Sequence, residues 1–175
     1  MSLPLRPIAT MLTAALTFAT ARPAAAAPAD GLVEVPLFLV TKSENRNRVL
    51  YALRVDAKCM PVGEAPIRPY WQMFEKGANV TEPLLSREER AYGLHQTVRS
   101  DVVRMTLNAL QEREITVITW RSSGACMAAA WTTVRGERAR LVDVHAVLAW
   151  PIGIDHLVVQ GRTRDGRLVE EIVEP

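Results

Sequence analysis

The chain is poor in the residues that carry most protein chemistry. Its 175 residues include two cysteines, Cys59 and Cys126, and three histidines, His95, His145 and His156. A zinc centre needs three or four converging ligands, and no Cys-x-x-Cys, His-x-Glu or His-Glu-x-x-His spacing is present. No metal or other cofactor is therefore expected. The nine glycines are scattered among turn positions, so there is no glycine-rich phosphate loop. No Gly-x-Ser-x-Gly elbow exists to raise a nucleophilic serine. The acidic pairs Glu88-Glu89 and Glu170-Glu171 are sequence neighbours, whose side chains point apart on a helix or a strand. Long apolar runs are missing beyond the first residues, and charge of one sign is nowhere massed.

What is there begins with an export signal. Arg6 precedes the apolar segment Ile8 to Ala21, and Ala24-Ala25-Ala26 supplies small residues for cleavage. Cleavage after Ala26 fits best, because cleavage one residue later would put Pro28 at the first mature position. An uncleaved anchor fits less well, since the threonine-broken run is shorter than the ~20 residues a spanning helix needs. The mature chain, residues 27–175, is expected to be a single domain without a membrane span, periplasmic or secreted. Loss of Arg6 and Arg22 leaves nineteen Lys and Arg against nineteen Asp and Glu. A neutral, mixed surface excludes a nucleic-acid partner, which requires a clustered positive face. Two cysteines in an exported chain point to one disulfide, Cys59–Cys126. It would close a loop of about 67 residues and stabilise by ~4 kcal/mol on the chain-entropy account. Two separate buried thiols are the alternative reading.

Most of the mature chain alternates with a period of two. Leu32 to Val40 is apolar with Pro36 inside it, which places that strand at an edge or bends it there. Ser43 to Asn47 is a turn, and Val49, Tyr51, Leu53 and Val55 then alternate on one face. Lys58 to Pro69 is a proline-rich loop, and a strand resumes at Tyr70. Ser86 to Tyr92 is the one helical candidate, with a capping box from Ser86 to Glu89 and Gly93 as its stop. From Leu94 onward strand patterns dominate, with turns expected at Ser100-Asp101, Gln111-Glu112-Arg113, Ser122-Ser123-Gly124, Arg135-Gly136-Glu137 and Arg164-Asp165-Gly166. The pattern predicts an all-β antiparallel sandwich or closed barrel of about eight to nine strands with one short connector helix.

Three local patterns resemble a bacterial family catalogued as domain of unknown function 4833. They are Ser43-x-Asn45-x-Asn47-x-Val49-x-Tyr51 after an apolar strand, Pro66-Ile67 followed by Tyr70-Trp71, and Arg90-Ala91-Tyr92-Gly93 closing the helix. The resemblance covers the mature chain. It implies an exported single-domain bacterial protein, and no reaction, cofactor or catalytic residue comes with it.

Candidate site residues follow from these patterns. Ser43, Asn45 and Asn47 at spacing two form a polar row suited to a sugar, a peptide backbone or a head group. Turn chemistry explains the same residues without a ligand. Tyr51, Tyr70, Trp71, Arg90 and Tyr92 complete the candidate binding set. The tyrosines and tryptophans, including Trp120, Trp131 and Trp150, are core by default and an apolar pocket lining in the alternative. No catalytic residue is assigned. Three functions are carried forward. The first is a non-enzymatic periplasmic or secreted binding module for a small molecule or envelope component. The second is an envelope structural or interaction protein that pairs through an edge strand. The third is a cell-envelope hydrolase using His95 or His145.

Overall fold

A computed structural model describes residues 31–42, 46–77, 80–149 and 153–174. Eleven strands and one helix follow one another. They are β1 (Val33–Lys42), β2 (Arg48–Val55), β3 (Ile67–Gln72), β4 (Thr81–Pro83), α1 (Ser86–Tyr92), β5 (Leu94–Arg99), β6 (Val102–Leu107), β7 (Leu110–Ser122), β8 (Ala125–Val134), β9 (Glu137–Leu148), β10 (Ile154–Arg162) and β11 (Leu168–Val173). The domain is all-β, as the alternation implies. The strands form one sheet in the order β4-β3-β2-β1-β9-β8-β7-β6-β5, and β10 and β11 extend it from β9.

The sheet forks at β9. Residues Asp143 to Ala146 pair with β1 and with β10 at once, so those two strands flank β9. Arg140 likewise pairs with both β8 and β10. It follows that β8 and β1 share one edge of β9, end to end. Two arms leave this fork, β1 to β4 and β8 to β5, and they curl into an open half-barrel. A sandwich or a closed barrel was expected, and neither is what the strand pairing shows. The β1–β9 seam is parallel, where an all-antiparallel sheet was expected.

One side chain spans the remaining gap. Gln96 on β5 accepts from the Ile67 N–H (3.0 Å) and donates to the Ile67 carbonyl (2.9 Å) on β3. The carboxamide makes the pair of bonds that a neighbouring strand would have made.

The inner face follows the sequence alternation. Val49, Tyr51, Leu53 and Val55 all enter the core, with Phe38 stacked on Tyr51 at 4.6 Å between ring centres. Such a stack contributes about 0.5–1.5 kcal/mol beyond its buried area. Pro36 lies at a bulge in β1, before that strand meets β9 at Leu39. Its missing N–H therefore leaves no bond to β9 unmade.

Eleven strands exceed the eight or nine expected. The three-residue β4, ending in Pro83, is too short to show a period. Gln111-Glu112-Arg113 lies inside β7 and not in a turn; the turn is Asn108-Ala109, between the paired Leu107 and Leu110. Gln111, Glu112 and Glu114 are exposed, so a charged strand carries no burial cost there. The helix occupies the expected residues, but its capping shifts by one position. Leu85 is the N-cap and has no side-chain acceptor, while Glu88 takes the Leu85 N–H at 2.8 Å. Gly93 ends the helix in extended backbone, not in a left-handed turn. A Cβ there would lie 2.2 Å from the Glu89 carbonyl oxygen and 2.8 Å from Asn108 Nδ2. Close approach, and not positive φ, requires this glycine.

Cys59 and Cys126 are bonded, which ties the β2–β3 loop to β8. Arg121 reinforces the tie by donating to the carbonyls of Ala57 and Gly124. Asp56 Oδ1 accepts from the Lys58 and Met60 N–H groups and shapes the loop around Cys59.

Candidate functional site

The mouth of the half-barrel lies where β1 ends and β2 begins. Val40 pairs with Val49, and Val49 with Trp71, so the inward face runs across three strands at this level. Lys42 continues the inward series of Phe38 and Val40. Trp71 thereby stands on the inner face at the rim.

Helix α1 crosses this rim. None of its residues is fully buried, and Tyr92 at its end packs against the core alongside the polar contacts that hold it. The Trp71 indole N–H donates to Glu88 Oε2 at 3.0 Å, and the Tyr92 ring meets Trp71 edge-on at 5.3 Å. The Tyr51 hydroxyl donates to the Tyr92 carbonyl at 2.5 Å. Asn108 donates through Nδ2 to the Glu89 carbonyl (2.9 Å) and through its N–H to the Gly93 carbonyl (3.0 Å).

A cleft of about 460 Å³ opens between Lys42 at the end of β1, Asn47 before β2, β3, β4 and α1. Lys42, Asn47, Glu82 and Glu88 supply its polar groups; Trp71, Met73, Pro83 and Leu85 supply its apolar surface. Partial burial pushes the Glu88 carboxyl up. Hydrogen bonds from the Leu85 N–H and the Trp71 indole, with the charges of Arg87 and Lys42, outweigh it and hold Glu88 below the usual carboxylate range. Glu82 pairs with Lys76 at 2.6 Å. The Lys42 ammonium stands 5.8 Å from the centre of the Trp71 ring. Among the described residues no carboxylate lies within ion-pair distance of it.

The expected site residues divide. Asn47 and Trp71 line the cleft, and Tyr92 backs Trp71. Tyr51 is a core residue, 1% exposed, whose hydroxyl anchors the helix. Burial, with the nearby Tyr92, drives its phenol pKa far up. Tyr70 precedes Trp71 on the strand and so points to the outer face. Burial and the charge of Glu34 raise its pKa. Arg90 is exposed on α1. Ser43 and Asn45 lie outside the described residues, as does Trp150. Lys42, Glu82 and Glu88 were missed. The continued alternation of Phe38, Val40 and Lys42 was a readable signal for the first; nothing local marked Glu82.

A second polar group lies on the outer face of the fork. Thr41 donates to Asp143 Oδ2 at 3.0 Å and stands 2.9 Å from His145 Nδ1. Burial raises the Asp143 pKa despite the Thr41 bond and the charges of His145 and Arg48. Arg48 follows Thr41 in the cross-strand row, donating to Gln72 Oε1 at 2.8 Å and lying over the Phe74 ring. This row stitches the parallel seam to the β2 arm.

The other histidines stand apart from it. His145 pairs across to Val158 and His156 to Val147, so the two imidazoles are a step out of line. His156 Nδ1 meets Asp155 Oδ2 at 2.8 Å. His95 is exposed on β5, at the far end from Ser100-Asp101. Among the described residues no three His, Cys, Asp or Glu side chains are placed to hold a metal ion.

The family model described as "Domain of unknown function (DUF4833)" matches residues 38–172. The chain belongs to the DUF4833 family. The match opens at Phe38 in β1 and closes at Ile172 in β11, so the DUF4833 domain contains the fork, the cleft and α1. No curated protein and no solved structure matches this DUF4833 chain.

Proposed function

We propose that this DUF4833 protein is a non-enzymatic, exported binding module that takes a small molecule or envelope component into the cleft at the mouth of its sheet. One observation carries the reading. Side chains distant in sequence, Lys42 and Asn47, Trp71, and Glu88 of α1, line one solvent-facing cleft. The contacts behind Trp71, from Glu88 and Tyr92, hold its ring in one orientation, which lowers the entropic cost of binding. Export is supported by the disulfide. No helix among the described residues is long and apolar enough to cross a membrane.

Native mass spectrometry of the protein recovered from its own cell envelope tests this reading. A small molecule retained by the wild type and lost from Trp71→Ala and Lys42→Gln is expected. A molecule retained equally by all three proteins, or none retained by any, refutes the cleft as its site.

A second reading, pairing through an edge strand, is favoured by β11. That strand pairs only with β10 among the described residues and exposes Leu168 and Ile172. Lysine at both positions would abolish a co-purifying partner on this account.

A further inference from the structure

We propose that the outer face of the β7–β8 hairpin and of the strands beside it docks on an anionic phospholipid bilayer. The cleft plays no part in this. The strand registers lay one row of side chains across that face: Arg104, Thr116, Trp131, Arg140, Arg162 and Leu168, on β6 to β11 in turn. Their neighbours Val103, Val117, Ala130 and Ala139 are buried on the opposite face, so the row points outward. Arg138, two residues before Arg140, lies on the same face with its guanidinium 5.9 Å from the centre of the Trp131 ring. Two same-face steps along the hairpin from Trp131, Trp120 and Met127 stand opposite each other across the strands. They are 41% and 42% exposed, and all four arginines are exposed. Two acids lie beside the row: Glu114, 3.8 Å from Arg104, and Glu170, which accepts from Gln160.

The arginines are far apart in sequence, and the fold gathers them. Arg140 is directly opposite Arg162 and next to Arg138 on its own strand. Like charges set opposite one another on a sheet destabilise it, so the architecture alone gives no reason for this cluster. An anionic surface laid over it does. A guanidinium carries five donors, so the bonds that Arg104 makes to Glu114 and Arg162 to the Gly166 carbonyl leave donors for phosphate. Trp120 and Met127 supply the second requirement, an exposed apolar pair beside the cations. Tryptophan favours the boundary between head groups and acyl chains, and arginine reaches phosphates from the same depth. A soluble polyanion would leave Trp120 and Met127 in water. A protein partner would need a fixed carboxylate against each arginine, whereas lipid head groups move to meet them. A bilayer interface satisfies both the apolar pair and the arginine cluster.

Co-sedimentation with vesicles tests the assignment. Protein recovered from its own cell envelope is mixed with vesicles of phosphatidylglycerol and phosphatidylcholine in equal parts, and with vesicles of phosphatidylcholine alone. Binding to the charged vesicles and little to the neutral ones is expected. Arg140→Gln combined with Arg162→Gln should weaken that binding about 25-fold, since each arginine at an anionic surface is worth about five-fold. The same variant loses a like-charge pair, so its urea midpoint should be unchanged or higher, which separates lost binding from lost folding. Lipids brominated in their acyl chains should quench the fluorescence of the wild type more than that of Trp120→Phe. Equal binding to both vesicles, binding to neither, or undiminished binding by the arginine variant would overturn the proposal. An acidic protein that co-purifies with the wild type and is lost from the arginine variant, without vesicle binding, would overturn it in favour of a protein partner.

Discussion

Replacing Gln96 by alanine should loosen the whole half-barrel. Its carboxamide is the acceptor for the Ile67 N–H and the donor to the Ile67 carbonyl, and Ile67 is 1% exposed. Two intramolecular bonds are worth roughly 0.5–1.5 kcal/mol each, and a buried partner left unsatisfied costs about 1–3 kcal/mol. The expected loss is therefore about 2–5 kcal/mol, with some relief if water enters the gap. For a domain of this size each kcal/mol shifts Tm by roughly 2–4 °C, so a fall of roughly 4–20 °C follows. Urea unfolding measures the loss directly, and an unchanged slope shows that the variant still folds to the same extent. Gln96→Glu sharpens the test. It keeps an acceptor for the N–H but sets a carboxylate against the Ile67 carbonyl, so it should be as unstable as alanine at neutral pH. Protonation at acid pH restores a donor, so its deficit against the wild type should shrink there. A loss below ~0.5 kcal/mol for alanine, under the usual worth of even one such bond, would refute the clasp.

Other perturbations have equally definite outcomes. Removing both cysteines, Cys59→Ala with Cys126→Ala, should cost ~4 kcal/mol through the freed 67-residue span. Reductant should lower the urea midpoint of the wild type and leave that of the variant unchanged. Tyr51→Phe strands the Tyr92 carbonyl and should cost about 1–3 kcal/mol. Hydrogen exchange should quicken across α1 more than across β7. Asp143 has a folded-state pKa raised by burial, so its contribution to stability is greatest below the ordinary aspartate pKa. That contribution is lost as pH rises through the folded value. Asp143→Asn should therefore gain stability relative to the wild type between acid and neutral pH. A difference in urea midpoint that does not change with pH would contradict this.

The legible parts of the fold were those governed by local chemistry. The period-two alternation of Val49, Tyr51, Leu53 and Val55 identified β2 and its inner face, and each of those residues is in the core. Cysteine parity and export context suggested the Cys59–Cys126 bond, which is present. The fork was illegible because it depends on β1 and β9 meeting in parallel register across a hundred residues. Period two specifies a face, not a neighbour. The same limit hid the gap that Gln96 spans, since nothing near Gln96 announces Ile67. In the cleft, the Asn47 and Trp71 patterns were readable as turn and strand signals. Glu88 was passed over because the capping box was assigned one residue late, to Ser86 and Glu89. Lys42 lies between the apolar strand and the polar turn in sequence, and the strand alternation carries it inward to the rim.

The cleft as the binding site is the claim on which the account stands, and the Trp71 indole N–H reports on it directly. That proton is donated to Glu88 at the cleft, and Trp71→Phe would assign its ¹⁵N–¹H signal by deleting it. Titration with the molecule recovered from the envelope should shift this signal saturably while the indole signals of Trp120 and Trp131 stay in place. Saturable shifts at Trp120 or Trp131 with Trp71 unmoved would contradict the account and move the site elsewhere on the sheet.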